Sequence, residues 1–225
     1  MAMAAAGGTR QVWPKHAGEQ TGHVFNDGPS RSTALIVLAV FTVDSMSLLF
    51  AFFTLAANAA VVAIVVAALA ARSGSGLAKR FLHDLAPLAL PFAAAVALVA
   101  SVGSLWMSTG GNLIPCRFCW FQRTMMYPLG VMLPIAAFRR DLSVALYSWV
   151  IAGIGLAIST YHYTIEWKPE WGSDSCDVVV PCTVALFRRF GFMSLAYMAG
   201  SAFLAVIALV WVARQNRRSA ATVSA

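Results

Sequence analysis

Long apolar runs alternate along this chain with short polar segments. Each run reaches or exceeds the roughly 20 residues that a helix needs to cross a bilayer. The first covers residues 33–71, more than one span and less than two spans with a turn, without a Gly or Pro break. A single tilted or extended helix is expected there, its membrane part near 47–70. Further runs at 85–107, about 119–138, about 142–165 and 192–213 bring the expected spans to five, an all-α membrane protein. Asp44 marks an interface, and Asn58, near mid-span, either bonds a neighbouring helix or is a tolerated amide. Pro87, Pro91, Pro128 and Pro134 fall within or near span ends, where neighbouring helices can satisfy the freed carbonyls.

Residues 1–32 are polar and aperiodic and read as a disordered tail. A cleaved signal peptide is not expected, because no short apolar core follows an early basic cluster. Of 225 residues, 60% are hydrophobic and only 11% charged, against about 25% charged in a soluble domain. The net charge of +7 comes from clusters between spans, so it speaks for topology and against nucleic-acid binding. Arg72, Lys79 and Arg80 follow the first span, Arg139 and Arg140 the third, and Arg214, Arg217 and Arg218 the fifth. Those loops, with a tail at 214–225, are expected in the cytoplasm. The opposite loops are 108–115, without Lys or Arg, and 166–189, where Arg188 and Arg189 dissent from the pattern. The N-terminal tail and all four cysteines are then expected outside.

Cys116 and Cys119 stand three apart after Pro115, where a span begins. A helix N-terminus favours a thiolate and can lower a cysteine pKa from about 8.5 to roughly 3.5–7.5. Depth makes Cys119 the one nearer lipid. Arg123, one turn further in, either stabilises negative charge at Cys119 or at a reduced carbonyl compound, or snorkels to the surface. Cys176 and Cys182 bracket five residues in a loop with Trp167 and Trp171, and either exchange electrons or staple the loop. Asp174 and Asp177 disfavour a thiolate at Cys176, so this pair is less activated but more accessible to a protein. Zinc fits the first spacing and not the second. Haem attachment fails because Trp120 stands where the C-x-x-C-H motif needs histidine. Met125 and Met126 are read as packing rather than copper ligands. His162, near the outer end of the fourth span, is either a satisfied buried imidazole or a group managing a cofactor's protons.

The run Pro115-Cys116-Arg117-Phe118-Cys119-Trp120-Phe121-Gln122-Arg123, continued by Met126-Tyr127-Pro128, resembles the disulfide bond formation protein B family, nearest its BdbC-like branch. Tyr161-His162-Tyr163, the later cysteine pair and Gly191-Phe192 resemble that branch too, so the likeness covers about 85–213. It implies a four-transmembrane-helix bundle, with the segment at 33–71 as one additional N-terminal transmembrane helix. It also implies a quinone, menaquinone or ubiquinone, near the first pair and a DsbA-like thioredoxin-fold thiol oxidase as partner, in the bacterial inner membrane. Carried onto this chain, Cys119 would contact the quinone and Arg123 its oxygen, with Gln122, Trp120 and His162 as further cofactor-binding residues. Cys176 would form the mixed disulfide with the partner, and Cys182 would pair transiently with Cys116. Phe118 and Phe121 replace the commoner leucine and tyrosine, the latter removing a hydroxyl.

The expected function is therefore a quinone-dependent thiol oxidase that passes electrons from its partner into the membrane quinone pool. A vitamin K epoxide reductase-like enzyme uses similar cysteine chemistry but fits 120–128 less well. A non-catalytic membrane subunit with two static disulfides is the alternative from another class.

Overall fold

A computed structural model describes residues 42–172 and 180–223, the segment 216–223 by its backbone alone. The expected tail at 1–32, the start of the first apolar run and Cys176 lie outside the described residues. Those residues form five α-helices: α1 Val43–Arg72, α2 Gly76–Thr109, α3 Arg117–Arg139, α4 Ala145–Trp167 and α5 Leu195–Val223. A 3-10 turn at Pro169–Trp171 follows α4.

Thr42 caps α1 by accepting from Ser45 N–H at 3.3 Å. Arg72 ends that helix, and Gly74 at φ 98° makes the reversal, a conformation that glycine adopts without steric cost. Ser75 then caps α2, accepting from Ala78 N–H. The second helix therefore starts nine residues before the apolar run expected at 85–107. Hydropathy marks where lipid begins, whereas the serine cap and the glycine turn set where the helix begins.

In a ring of contacts, α2 packs on α3, α3 on α4, α4 on α5 and α5 back on α2, while α1 lies against α2 and α5. Small residues make this close approach possible. Ala86, Ala89, Ala93 and Ala97 form a buried stripe on α2, within the core that includes Leu129 and Leu133 of α3 and Val206 and Val210 of α5. Between helices in lipid, van der Waals contact and hydrogen bonds drive association, and small side chains serve both. Gly155 of α4 works the same way, since a Cβ there would run into the fully buried Phe203 ring. Asn58 takes the first of its two expected roles and donates to Tyr197 Oη of α5 at 3.1 Å.

Large apolar side chains face outward on every helix, among them Phe52, Val62, Val102, Val131 and Val150. By length and composition α1, α2 and the stretch Leu195–Gln215 of α5 can cross a membrane. The expectation of five spans is met to that extent. Helices α3 and α4, 23 residues each, stand outside that group; they carry Arg117 and Arg123, and His162 and Glu166.

The dissenting arginines have structural work. Arg188 donates to the Glu166 carbonyl at 2.8 Å and lies over the Trp167 ring. Arg189 reaches α1, donating to Ser47 Oγ at 2.9 Å and pairing with the Asp44 carboxylate. A tight turn follows, in which Arg189 and Met193 exchange both backbone hydrogen bonds and Gly191 takes φ 80°.

Candidate functional site

Cys116 is the N-cap of α3, with extended backbone, and its sulfur accepts from Cys119 N–H at 3.3 Å. Proline at 115 thus precedes the cap, and a sulfur fills the role usual for Ser or Asp. Cys116 and Cys119 are free thiols whose Sγ atoms lie 2.7 Å apart. Cys116 is buried, Cys119 only partly. The Cys116 thiol is lowered to about 4, chiefly by its hydrogen bond with Cys119 and, against burial, by His162.

Three residues, Gln122, His162 and Glu166, form a second layer beside the thiols. Gln122, buried, contacts His162 Nδ1 through its amide nitrogen at 3.2 Å. An amide nitrogen can only donate, so Nδ1 accepts and the ring proton sits on Nε2. Nε2 lies 3.6 Å from Cys116 Sγ and 3.9 Å from Glu166 Oε1, one turn further along α4. Glu166 is buried as deeply as His162. The ligand atoms of Cys116, Cys119 and His162 also fall within 4.8 Å of one another.

Cys182 is almost fully buried and bonded in a disulfide. Its partner is neither Cys116 nor Cys119, both free. Cys182 and Cys116 belong to one buried cluster with Ile165, and Phe118, Cys119 and Val180 pack against it. The first cysteine pair and the second loop meet there. Cys176 lies outside the described residues.

On its other side Cys119 lines an apolar cavity of about 370 Å³, together with Gln122, Arg123, Met126 and Tyr127 of α3. Arg123 is held by α2: Nε donates to Ser104 Oγ at 2.8 Å, and Nη2 to the Ser104 carbonyl at 3.0 Å and Ser108 Oγ at 2.5 Å. None of these bonds uses Nη1. The guanidinium is fixed by two serines rather than snorkelling freely, and it lies 5.2 Å from the Trp120 ring centroid. Tyr127 Oη is buried without a hydrogen-bond partner. An apolar chamber with a few donors at one end suits a ligand with a polar head and an apolar body.

Of the cofactor residues expected from sequence, Arg123 and Gln122 line this cavity. Trp120 is more than half exposed and supports Arg123 from outside, and His162 touches Cys116 and Gln122 instead. Ser104, Ser108 and Glu166 escaped sequence reasoning. Glu166 had a usable signal, its i+4 spacing from His162. The two serines had none, because nothing in the α2 sequence says that an arginine of α3 faces them.

A family profile described as Disulfide bond formation protein DsbB matches residues 86–213. The chain is 41% identical over 128 residues to a protein of Oceanobacillus iheyensis named "Probable disulfide formation protein", covering 55% of this chain and 88% of that one. It is 41% identical over 113 residues to "Disulfide bond formation protein C" of Bacillus subtilis, covering 50% and 82%. No solved structure matches.

Proposed function

Since this chain belongs to the BdbC-like proteins of the disulfide bond formation protein DsbB family, and is as such a membrane disulfide oxidoreductase, we propose that it reoxidises a DsbA-like thioredoxin-fold thiol oxidase and passes the electrons to a membrane quinone, menaquinone or ubiquinone. The position of Cys116 supports this most. It packs with Cys182 on one side and touches Cys119, on the cavity wall, on the other.

A partner thiolate attacks Cys176 of a Cys176–Cys182 disulfide, forming a mixed disulfide and releasing the Cys182 thiolate. That thiolate attacks Cys116 of a Cys116–Cys119 disulfide, forming Cys116–Cys182 and releasing the Cys119 thiolate. The partner's second thiolate resolves the mixed disulfide and leaves oxidised. Cys176 then attacks Cys182, restoring the outer disulfide and freeing Cys116. Two electrons have moved from the partner to Cys116 and Cys119.

Arg123, fixed on Ser104 and Ser108, presents a positive charge beside Cys119, where thiolate charge develops. His162, oriented through Nδ1 by Gln122, presents its Nε2 proton between Cys116 and Glu166, so the imidazole can hold or return a proton at that sulfur. A quinone bound in the cavity would supply the two-electron oxidant that returns Cys116 and Cys119 to a disulfide.

The reaction is assigned to the outer face of the bacterial inner membrane, with α3 and α4 crossing as the third and fourth of five spans. Cys119→Ser is expected to abolish quinone reduction driven by a reduced thioredoxin-fold partner. A variant with normal turnover would sink the assignment.

A further inference from the structure

The profile match begins at residue 86, so α1 lies wholly outside it, yet α1 builds part of the cavity at Cys119. Phe50, Phe53, Thr54 and Ala57 of α1 line that chamber together with Cys119 and Arg123. Phe50 fits against Gly103, where a Cβ would collide with its ring, and Gly103 adjoins the Ser104 that holds Arg123. A second apolar cavity, about 320 Å³, lies between α1, α2 and α5 and shares Ala57, Ala95 and Val96 with the first. Along α1 it continues through Ala60 and Ala63 to Ile64. From Phe50 to Ile64 the helix rises about 21 Å, at about 1.5 Å per residue. The two chambers thus follow one another along α1, polar at the Arg123 end and apolar thereafter. Their α1 wall is fixed in place, by Arg189 to Ser47 and Asp44 at its start and by the Asn58–Tyr197 bond near its middle.

We propose that α1 is the tail-binding wall of the quinone site. The head group lies at Cys119 and Arg123, and the isoprenoid tail runs along α1 into the second chamber between α1, α2 and α5. This rests on the reading that the first chamber takes a quinone. The chemistry matches the lining: carbonyl oxygens require the donors of Arg123, Gln122 and Tyr127, and a branched hydrocarbon chain requires a channel without polar groups. Alanine at 57, 60 and 63 leaves the width that a larger side chain would fill.

The test uses the full chain in lipid nanodiscs with two probes, a long-tailed quinone carrying a photoreactive group at its tail end and a tail-less analogue of the same ring. In the wild type the photoprobe should label peptides within residues 57–64. Ala60→Phe, which lines the second chamber alone, should weaken binding of the long-tailed quinone by about tenfold, as losing two buried CH₂ contacts would, and leave the tail-less analogue unchanged. Val62→Phe, at an exposed position lining neither chamber, should change neither affinity. Labelling confined to residues 86–213, or an unchanged long-tail affinity in Ala60→Phe, would overturn the proposal while leaving the quinone reading intact. A wild type that binds neither probe would overturn both. Labelling of the wild type decides the matter even should Ala60→Phe fail to fold.

Discussion

Arg123 and Cys116 divide the electrostatic work of the site. Arg123 is a charge on a wall that is otherwise almost wholly apolar, and two serines on the neighbouring helix fix its orientation. Arg123→Leu should lower quinone reduction about a hundredfold in steady-state assays, the usual cost of losing one preorganised donor at a developing negative charge. Arg123→Lys keeps the charge and loses the fork on Ser104, so it should fall between the two. The Cys116 thiol is tied to that of Cys119 by their hydrogen bond. Followed by ultraviolet thiolate absorbance, its ionisation should centre near pH 4, and in Cys119→Ala it should rise toward the ordinary thiol value, because the principal hydrogen bond is gone. The thiol ionises more readily in the folded state than in the unfolded chain, where its pKa is about 8.5. Its contribution to stability is therefore complete above about pH 8.5 and is lost as pH falls through about 4.

Helix pairing rests on a few small residues, and two glycines of α4 separate packing from propensity. A Cβ at Gly155 meets the buried Phe203 ring, whereas one at Gly153 meets nothing within 4 Å. Gly155→Ala should destabilise the fold by about 1–3 kcal/mol through overpacking. Gly153→Ala should be neutral or stabilising by up to about 1 kcal/mol through helix propensity. Thermal unfolding in detergent compares the two directly. The link between α1 and the loop after Cys182 is weaker, since Asp44 is 83% exposed and such pairs contribute about 0–1 kcal/mol. Arg189→Ala should accordingly cost about 1 kcal/mol and raise hydrogen exchange at residues 186–194. Asp44→Asn should do less, because Arg189 keeps its bond to Ser47.

Across the membrane, the proposed orientation puts the segment 110–115 and the cysteines outside and the α1–α2 turn inside. Reporter fusions at residue 111 should be active only with an extracytoplasmic enzyme, and fusions at Gly74 only with a cytoplasmic one. The opposite result would reverse the topology. Much of this was legible along the chain. The five helices follow from apolar runs and caps, and the inner cysteines with Arg123 stand one turn apart on one face. The start of α2 was not, because hydropathy measures lipid contact rather than helix formation. Nor was the purpose of Arg188 and Arg189, which along the chain only dissent from the charge pattern and whose partners are Glu166, Trp167, Asp44 and Ser47.

Periodicity, caps and the Cys116–Arg123 motif are local properties spanning a few turns, and they suffice to specify an all-helical membrane chain with an activated dithiol at a helix start. Which helices touch is not local. Ser104 meeting Arg123, Cys182 reaching Cys116, Asn58 finding Tyr197 and α1 lining the cavity all join residues far apart in the chain. Those pairings come from the close packing of small side chains in three dimensions, and period alone carries no information about which faces will meet.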